Sequence, residues 1–200
     1  LDTVSIFATA NTGFHFTHWQ DNDTNSHRII TVTSNKTYTA YFDYTQYSLS
    51  VNTTNSTYGT VSGGGNYHYN TTHTICANAN YGYHFTMWSD GNTSNPRTVS
   101  LTQDTVFTAI FAKNQYSVTL QSNDVTYGSV SGGGVFDYLD TATINATSVE
   151  HYHFVHWNDG NTDNPRQYIV TDNAVFVATF AIDTHIVSAV VDDISHGNVY

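Results

Sequence analysis

Apolar and polar residues alternate along this chain with a period of two. Tyr47, Leu49 and Val51 interleave with Ser48, Ser50 and Asn52. Val99 and Leu101 interleave with Ser100 and Thr102, and Phe107, Ala109 and Phe111 are separated by Thr108 and Ile110. Successive side chains of an extended strand point to opposite faces, so this pattern predicts strands with one buried face. The runs end in clusters of Asn, Gly, Asp and Pro, which favour turns. The pattern predicts six short strands at 47–53, 58–62, 66–69, 73–79, 84–89 and 97–102, and a longer seventh at 105–112. No segment has a convincing 3.6-residue period, although 78–84 has room for a single helical turn.

The pattern then repeats. "YGTVSGGG" at 58–65 returns as "YGSVSGGG" at 127–134, and "DGNTSNPR" at 90–97 as "DGNTDNPR" at 159–166. The same spacing of 69 carries Trp19 to Trp88 and Trp157, Phe16 to Phe85 and Phe154, Phe42 to Phe111 and Phe180, and Arg28 to Arg97 and Arg166, without a gap. Residues 1–46 then read as the last two-thirds of one repeat, 47–115 and 116–184 as complete repeats, and 185–200 as the start of another. In that last segment Gly197 and Val199 match Gly128 and Val130. A fixed period of this length marks a tandem array. The expected fold is all-β, a series of small antiparallel-sheet repeats joined with too few free residues to reorient, hence a semi-rigid rod. Because the chain starts and stops inside repeats, it reads as an excised piece, and the lack of a signal peptide at Leu1 says nothing about export.

Composition supports strands: Thr, Val, Tyr and Phe are common, and only 10% of residues are charged. The formal net charge of -11 opposes binding to nucleic acid or an anionic membrane, which needs clustered Lys and Arg. No apolar run is long enough to span a bilayer. With Cys76 as the single cysteine, no internal disulfide can form.

The segment 82–111, "GYHFTMWSDGNTSNPRTVSLTQDTVFTAIF", resembles the divergent internalin-type B-repeats of the Listeria–Bacteroides group. The shared features are the Gly82–Tyr83 pair, Phe85 and Trp88 as "F-x-x-W", the loop Asp90–Gly91–Asn92, and the closing Ala109 and Phe111. The next copy repeats them at Tyr152, Phe154, Trp157, Asp159, Gly160, Asn161, Ala178 and Phe180, with His151 in place of Gly82. The first has Gly13, Phe14, Phe16, Trp19 and Asp21, but Asn22 and His27 replace the loop Gly and Pro. The resemblance implies a β-grasp-like repeat with its helix reduced or absent, and export to a bacterial surface in long adhesin-like or wall-associated proteins. Some relatives are credited with binding sulfated glycans; that property needs basic patches and is not carried over to this acidic chain.

Several features bear on chemistry. Trp88 with Phe85 has the makings of a sugar-stacking platform, but recurrence at strand spacing in a small domain without disulfides argues for core; Tyr67 and Tyr69 are better surface candidates. The runs 21–25 and 159–163 open like a calcium loop. Position twelve from Asp159 is Val170, not Glu, and the chain's one Glu is Glu150, so an Asx-bonded hairpin loop is the expectation, with Pro96 or Pro165 and Arg97 or Arg166 launching the next strand. His15, His84 and His153 align, and His18 and His156 stand three residues on. On a regular strand such positions face opposite sides, and Met87 interrupts the pair in the middle copy, which argues against zinc. The glycines 63–65 precede a strand and predict a tight turn or bulge, not a phosphate cradle. Cys76 reads as a tolerated strand residue.

No catalytic, cofactor-binding or metal site is identified, and no ligand-binding residue is assigned. The expected function is a non-catalytic spacer or adhesin stalk, extracellular, on a bacterial surface or secreted. The alternative is a multivalent carbohydrate- or glycoprotein-binding module acting on host or bacterial surface glycans or glycoproteins. The incomplete ends, with expected strands at 185–191 and 197–200, should be poorly ordered or pair head to tail between molecules.

Overall fold

The computed structural model describes residues 2–192 together with Ser195 and His196. They fall into two compact units, Leu1–Lys113 and Asn114–Tyr200. The first unit opens with β1 (Thr3–Phe7), β2 (Phe14–Trp19), β3 (His27–Thr31) and β4 (Ala40–Tyr44). It continues with β5 (Gln46–Thr53), β6 (Gly59–Ser62), β7 (Gly65–His68), β8 (Thr72–Ala79), β9 (Tyr83–Trp88), β10 (Arg97–Ser100) and β11 (Thr105–Lys113). The second unit carries the same seven again: β12 (Gln115–Ser122), β13 (Gly128–Ser131), β14 (Gly134–Asp137), β15 (Thr141–Ser148), β16 (Tyr152–Trp157), β17 (Arg166–Ile169) and β18 (Ala174–Ile182). Each strand expected in 47–112 is present. The optional helical turn at 78–84 is instead a β-turn, closed by the Tyr83 N–H on the Asn80 carbonyl at 3.1 Å.

Within 46–113 the strands form two sheets, β7-β5-β11-β9 and β10-β8-β6; β14-β12-β18-β16 and β13-β15-β17 repeat them in the second unit. Gly63, at φ +97°, turns the chain from one sheet into the other. The sheets enclose one core: Leu49, Ile75, Ala77, Trp88, Val99, Leu101, Ala109 and Phe111. The second unit encloses Val118, Ala142, Ile144, Ala146, Trp157, Val170, Phe176, Ala178 and Phe180. Among the described residues there is no helix.

One expectation requires correction. The ladders are not all antiparallel: β5 pairs parallel with β11, Leu49 opposite Thr105, and β12 pairs parallel with β18. Five strands lie between the members of each pair, which is the long crossover a parallel pair needs. First and last strands lying parallel at the centre of the sheet fit a β-grasp-like repeat whose open face is closed by a second sheet. Residues 185–191 form no strand, and Ile186, Val187 and Val190 are exposed. The expected strand at 197–200 lies outside the described residues.

The joint between the first two copies is one residue long. The N–H of Thr45, between β4 and β5, donates to the Gly13 carbonyl at 2.8 Å, and its own carbonyl accepts from Tyr69 N–H at 2.9 Å. The Tyr44 ring stacks on His68 with centroids 4.7 Å apart.

Candidate functional site

The polar loop after each tryptophan is the most regular constellation in the chain. In the middle copy the Gly91 N–H donates to the Trp88 carbonyl, and the Trp88 N–H to the Asn92 carbonyl, both at 2.8 Å. Gly91 sits at φ +83° and Gly160 at +82°. Asn22, at the same position of the first copy, takes φ +65°, and Asn tolerates this left-handed region better than most residues. The replacement therefore preserves the turn.

Side chains then knit the loop. Asp90 Oδ1 accepts the Asn92 N–H at 3.2 Å, and Asn92 Oδ1 accepts the Ser94 N–H at 2.8 Å. Asp159 and Asn161 do the same for Asn161 and Asp163. Arg97 lies 2.7 Å from Asp90, Arg166 2.7 Å from Asp159, and Arg28 2.8 Å from Asp21. Each guanidinium also lies over an aromatic ring: Arg97 over Phe107 at 4.5 Å, Arg166 over Phe176 at 4.6 Å, and Arg28 over Tyr38 at 5.2 Å. The Arg28 hydrogen bond holds the Asp21 carboxyl down at about 2. Arg97 and Arg166 lower Asp90 and Asp159 in the same way. The loop carboxylates are thus turned onto the loop's own amides and an arginine, the Asx-bonded hairpin arrangement.

The tryptophans are core. Trp88 and Trp157 are fully buried, and their indole N–H groups donate to the Ser94 and Asp163 carbonyls at 3.0 Å. Phe85 packs on Trp88 at 5.4 Å although the two stand three apart on one strand. A bulge accounts for this: the β9–β11 register skips Thr86, pairing Phe85 with Phe111 and Met87 with Ile110. The same bulge recurs in β2 and β16, and it overturns the expectation that histidines three apart face opposite sides. His15 lies opposite Asp43 and His18 opposite Tyr41, so both share the outer face while Phe16 and Trp19 share the inner one. The shared face does not make a shared ligand set. His18 stacks on Tyr41, His153 contacts Asp183 at 2.8 Å, and His156 faces the Trp157 carbonyl. Among the described residues no three His, Cys, Asp or Glu side chains converge.

Tyr67 and Tyr69, favoured as surface residues, are half-buried. Tyr67 packs against the core and stacks on His73, and Tyr69 rests against Tyr47. Cys76 is a half-buried free thiol 3.7 Å from Asn78 Oδ1. Asn95 was missed by sequence reasoning. Its amide donates to the Ala77 carbonyl at 2.6 Å and accepts the Ala77 N–H at 2.9 Å, and Asn164 clamps Ala146 likewise. The signal was present in the repeated Asn-Pro-Arg string, as was the Asp–Arg pair in its constant spacing of seven.

No curated protein sequence matches the chain. The divergent InlB B-repeat domain matches it three times in tandem, over residues 2–46, 49–115 and 118–184. Those matches span most of the 200 residues, and the chain belongs to the divergent InlB B-repeat family.

Proposed function

We propose that this chain is a non-catalytic repeat region of a secreted or surface-attached bacterial protein, acting as a semi-rigid spacer or adhesin stalk. We take the repeating units to be 47–115 and 116–184, with 1–46 and 185–200 as parts of further units. The observation that carries the reading is the joint at Thr45: a single residue, hydrogen-bonded on both sides and flanked by the Tyr44–His68 stack, leaves little freedom to swivel. Among the described residues only Tyr41, Tyr44 and Tyr81 are exposed tyrosines; others pair off, Tyr58 on Tyr83 at 4.3 Å and Tyr127 on Tyr152 at 4.4 Å. That arrangement lacks the continuous aromatic stripe a glycan-binding module would need.

The test is small-angle scattering on chains with increasing numbers of repeats. A spacer lengthens by a constant increment per repeat. Growth with the square root of repeat number would refute stiffness, and specific retention on a glycan array, lost in Tyr41→Ser or Tyr81→Ser, would favour the binding module.

A further inference from the structure

In each complete repeat the first and last strands lie side by side at the centre of one sheet and run parallel. Residues 49–53 of β5 stand opposite 105–109 of β11, and 118–122 of β12 opposite 174–178 of β18. A parallel pair has both strand starts at one end and both finishes at the other. The chain therefore enters the middle repeat at Gln46, by one end of this ladder, and leaves it at Lys113, by the other. A pull along the array draws Gln46 and Lys113 apart along the strand axis. That direction shears the ladder, so its evenly spaced hydrogen bonds are loaded together. Antiparallel first and last strands would put both attachments at one end, and the same pull would peel the bonds apart one at a time.

The ladder is also shielded and fastened. β7 and β9 flank the pair, so neither strand is an edge. Leu49, Ala109 and Phe111 are buried on its inner face, which keeps water from competing for the bonds. Where the load enters, the Asp104 side chain accepts the Ser48 N–H at 2.7 Å, and Asn173 accepts that of Ser117 at 2.8 Å. At the other end the Thr54 N–H donates to the Ala109 carbonyl at 3.1 Å, and the Asn123 N–H to the Ala178 carbonyl at 2.9 Å. Here the copies differ. The Asn123 side chain goes on to bracket Phe180, accepting its N–H at 3.0 Å and donating to its carbonyl at 3.3 Å. Thr54 stands at the same position, and its hydroxyl instead reaches the Ala109 carbonyl at 3.5 Å.

We propose that each complete repeat is a load-bearing unit with the parallel ladder as its mechanical clamp, and that Asn123 makes the clamp of 114–182 stronger than that of 46–113. This load-bearing role rests on the stalk reading for the source of the tension; the clamp itself is a property of each repeat. Resistance to a pull is a rate, set by the barrier to unfolding.

Single-molecule force spectroscopy on the full chain tests this, with thiol handles in a Cys76→Ser background. Held through Gln46→Cys and Gln115→Cys, the middle repeat is sheared. Held through Ser56→Cys and Gln115→Cys, β5 and β11 are peeled apart from one end; all three handle sites are exposed. Shear should need about twice the force of peeling or more, because the bonds share the load. Held through Gln46→Cys and Thr184→Cys, both repeats bear the load, and each unfolding event should release roughly 200 Å of chain. The event of 114–182 should be the longer-lived at constant force. Asn123→Thr should shorten that lifetime roughly tenfold, the worth of two hydrogen bonds, and leave 46–113 unchanged. Equal forces in the two directions, or Asn123→Thr without effect, would overturn the proposal. A clamp that holds in an array whose scattering shows no stiffness would sink the stalk reading alone. A stiff array that yields as readily to shear as to peeling would sink the clamp alone.

Discussion

Residues 2–46 match 71–115, the part of a repeat that carries the tryptophan hairpin, whereas 46–113 also include β5, β6 and β7 and close a core around seven strands. What survives in the first copy is local. The bulged β2–β4 ladder keeps Phe16 against Trp19 at 5.6 Å, Trp19 stays 4% exposed, and its indole still donates to the loop at Asn25. The Asp21–Arg28 pair and the Asx bonds within 21–27 are also intact. What β5 and β6 add in the middle copy is long-range: the parallel ladder with β11, and the cover over Leu101 and Phe111, whose counterparts Val32 and Phe42 are exposed. The tryptophan hairpin therefore behaves as a locally determined element, and the two-sheet core as a long-range one.

The largest expected effect follows from that division. Trp88→Ala should destabilise its repeat by roughly 3–5 kcal/mol, the usual range for a buried large aromatic. Trp19→Ala should cost less, because Phe42 beside it is already open to water. Hydrogen exchange of β8 and β1 amides in the full chain measures the two losses separately. Equal losses would mean that the first copy is as tightly closed as the second.

Gly59→Ala comes next. A Cβ there would stand 2.5 Å from the Asn78 carbonyl oxygen and 2.6 Å from the Phe111 ring. Glycine lets β6 lie directly on the closing aromatic, and crowding of this kind costs about 2–3 kcal/mol. Thermal unfolding should show it, with β6–β8 amides losing protection first. An unchanged midpoint would mean that Phe111 swings aside freely.

Asn95→Ala is expected to cost about 1–2 kcal/mol, because it leaves the buried Ala77 peptide without its two partners. The first copy solves the same problem differently. The backbone carbonyl of Ser26 accepts the Ala8 N–H at 2.9 Å, so Ser26→Ala should be silent. A paired measurement of urea midpoints decides this; a cost at Ser26 matching that at Asn95 would contradict the substitution of backbone for side chain.

The sequence made the local elements legible and left the long-range ones hidden. Alternation located each strand of 46–113, since period two reports which face is buried. It could not reveal that β5 and β11 run parallel, because pairing partners leave no trace in periodicity. The bulge was legible in principle: Phe85 and Trp88 both had to face the core, which an unbulged strand forbids. Assigning the histidines to opposite faces overlooked that constraint. The loop was read correctly from its Asx chemistry. The role of Arg97, held between Asp90 and Phe107, needed the fold to bring Phe107 from ten residues away.

The smallest expected effect is also the one in which the copies should agree. The arginine hydrogen bond lowers Asp21 from 3.8 to about 2, and Asp90 and Asp159 shift in the same direction for the same reason. A carboxyl held below its unfolded value binds protons less readily when folded. Its contribution is therefore complete above 3.8 and is lost as pH falls from there toward about 2. The pairs are largely solvent-facing, so the loss at each loop is modest and shrinks further in high salt. Because the pair is local, its loss should loosen the first and middle copies alike, unlike the substitutions above. Carboxyl-carbon titration by NMR should give depressed midpoints for Asp21, Asp90 and Asp159 together. Arg97→Gln should return Asp90 alone toward the ordinary value, leaving the other two in place. An Asp90 midpoint indifferent to Arg97→Gln would show that the Asx amide bond, not the guanidinium, holds the carboxyl charged.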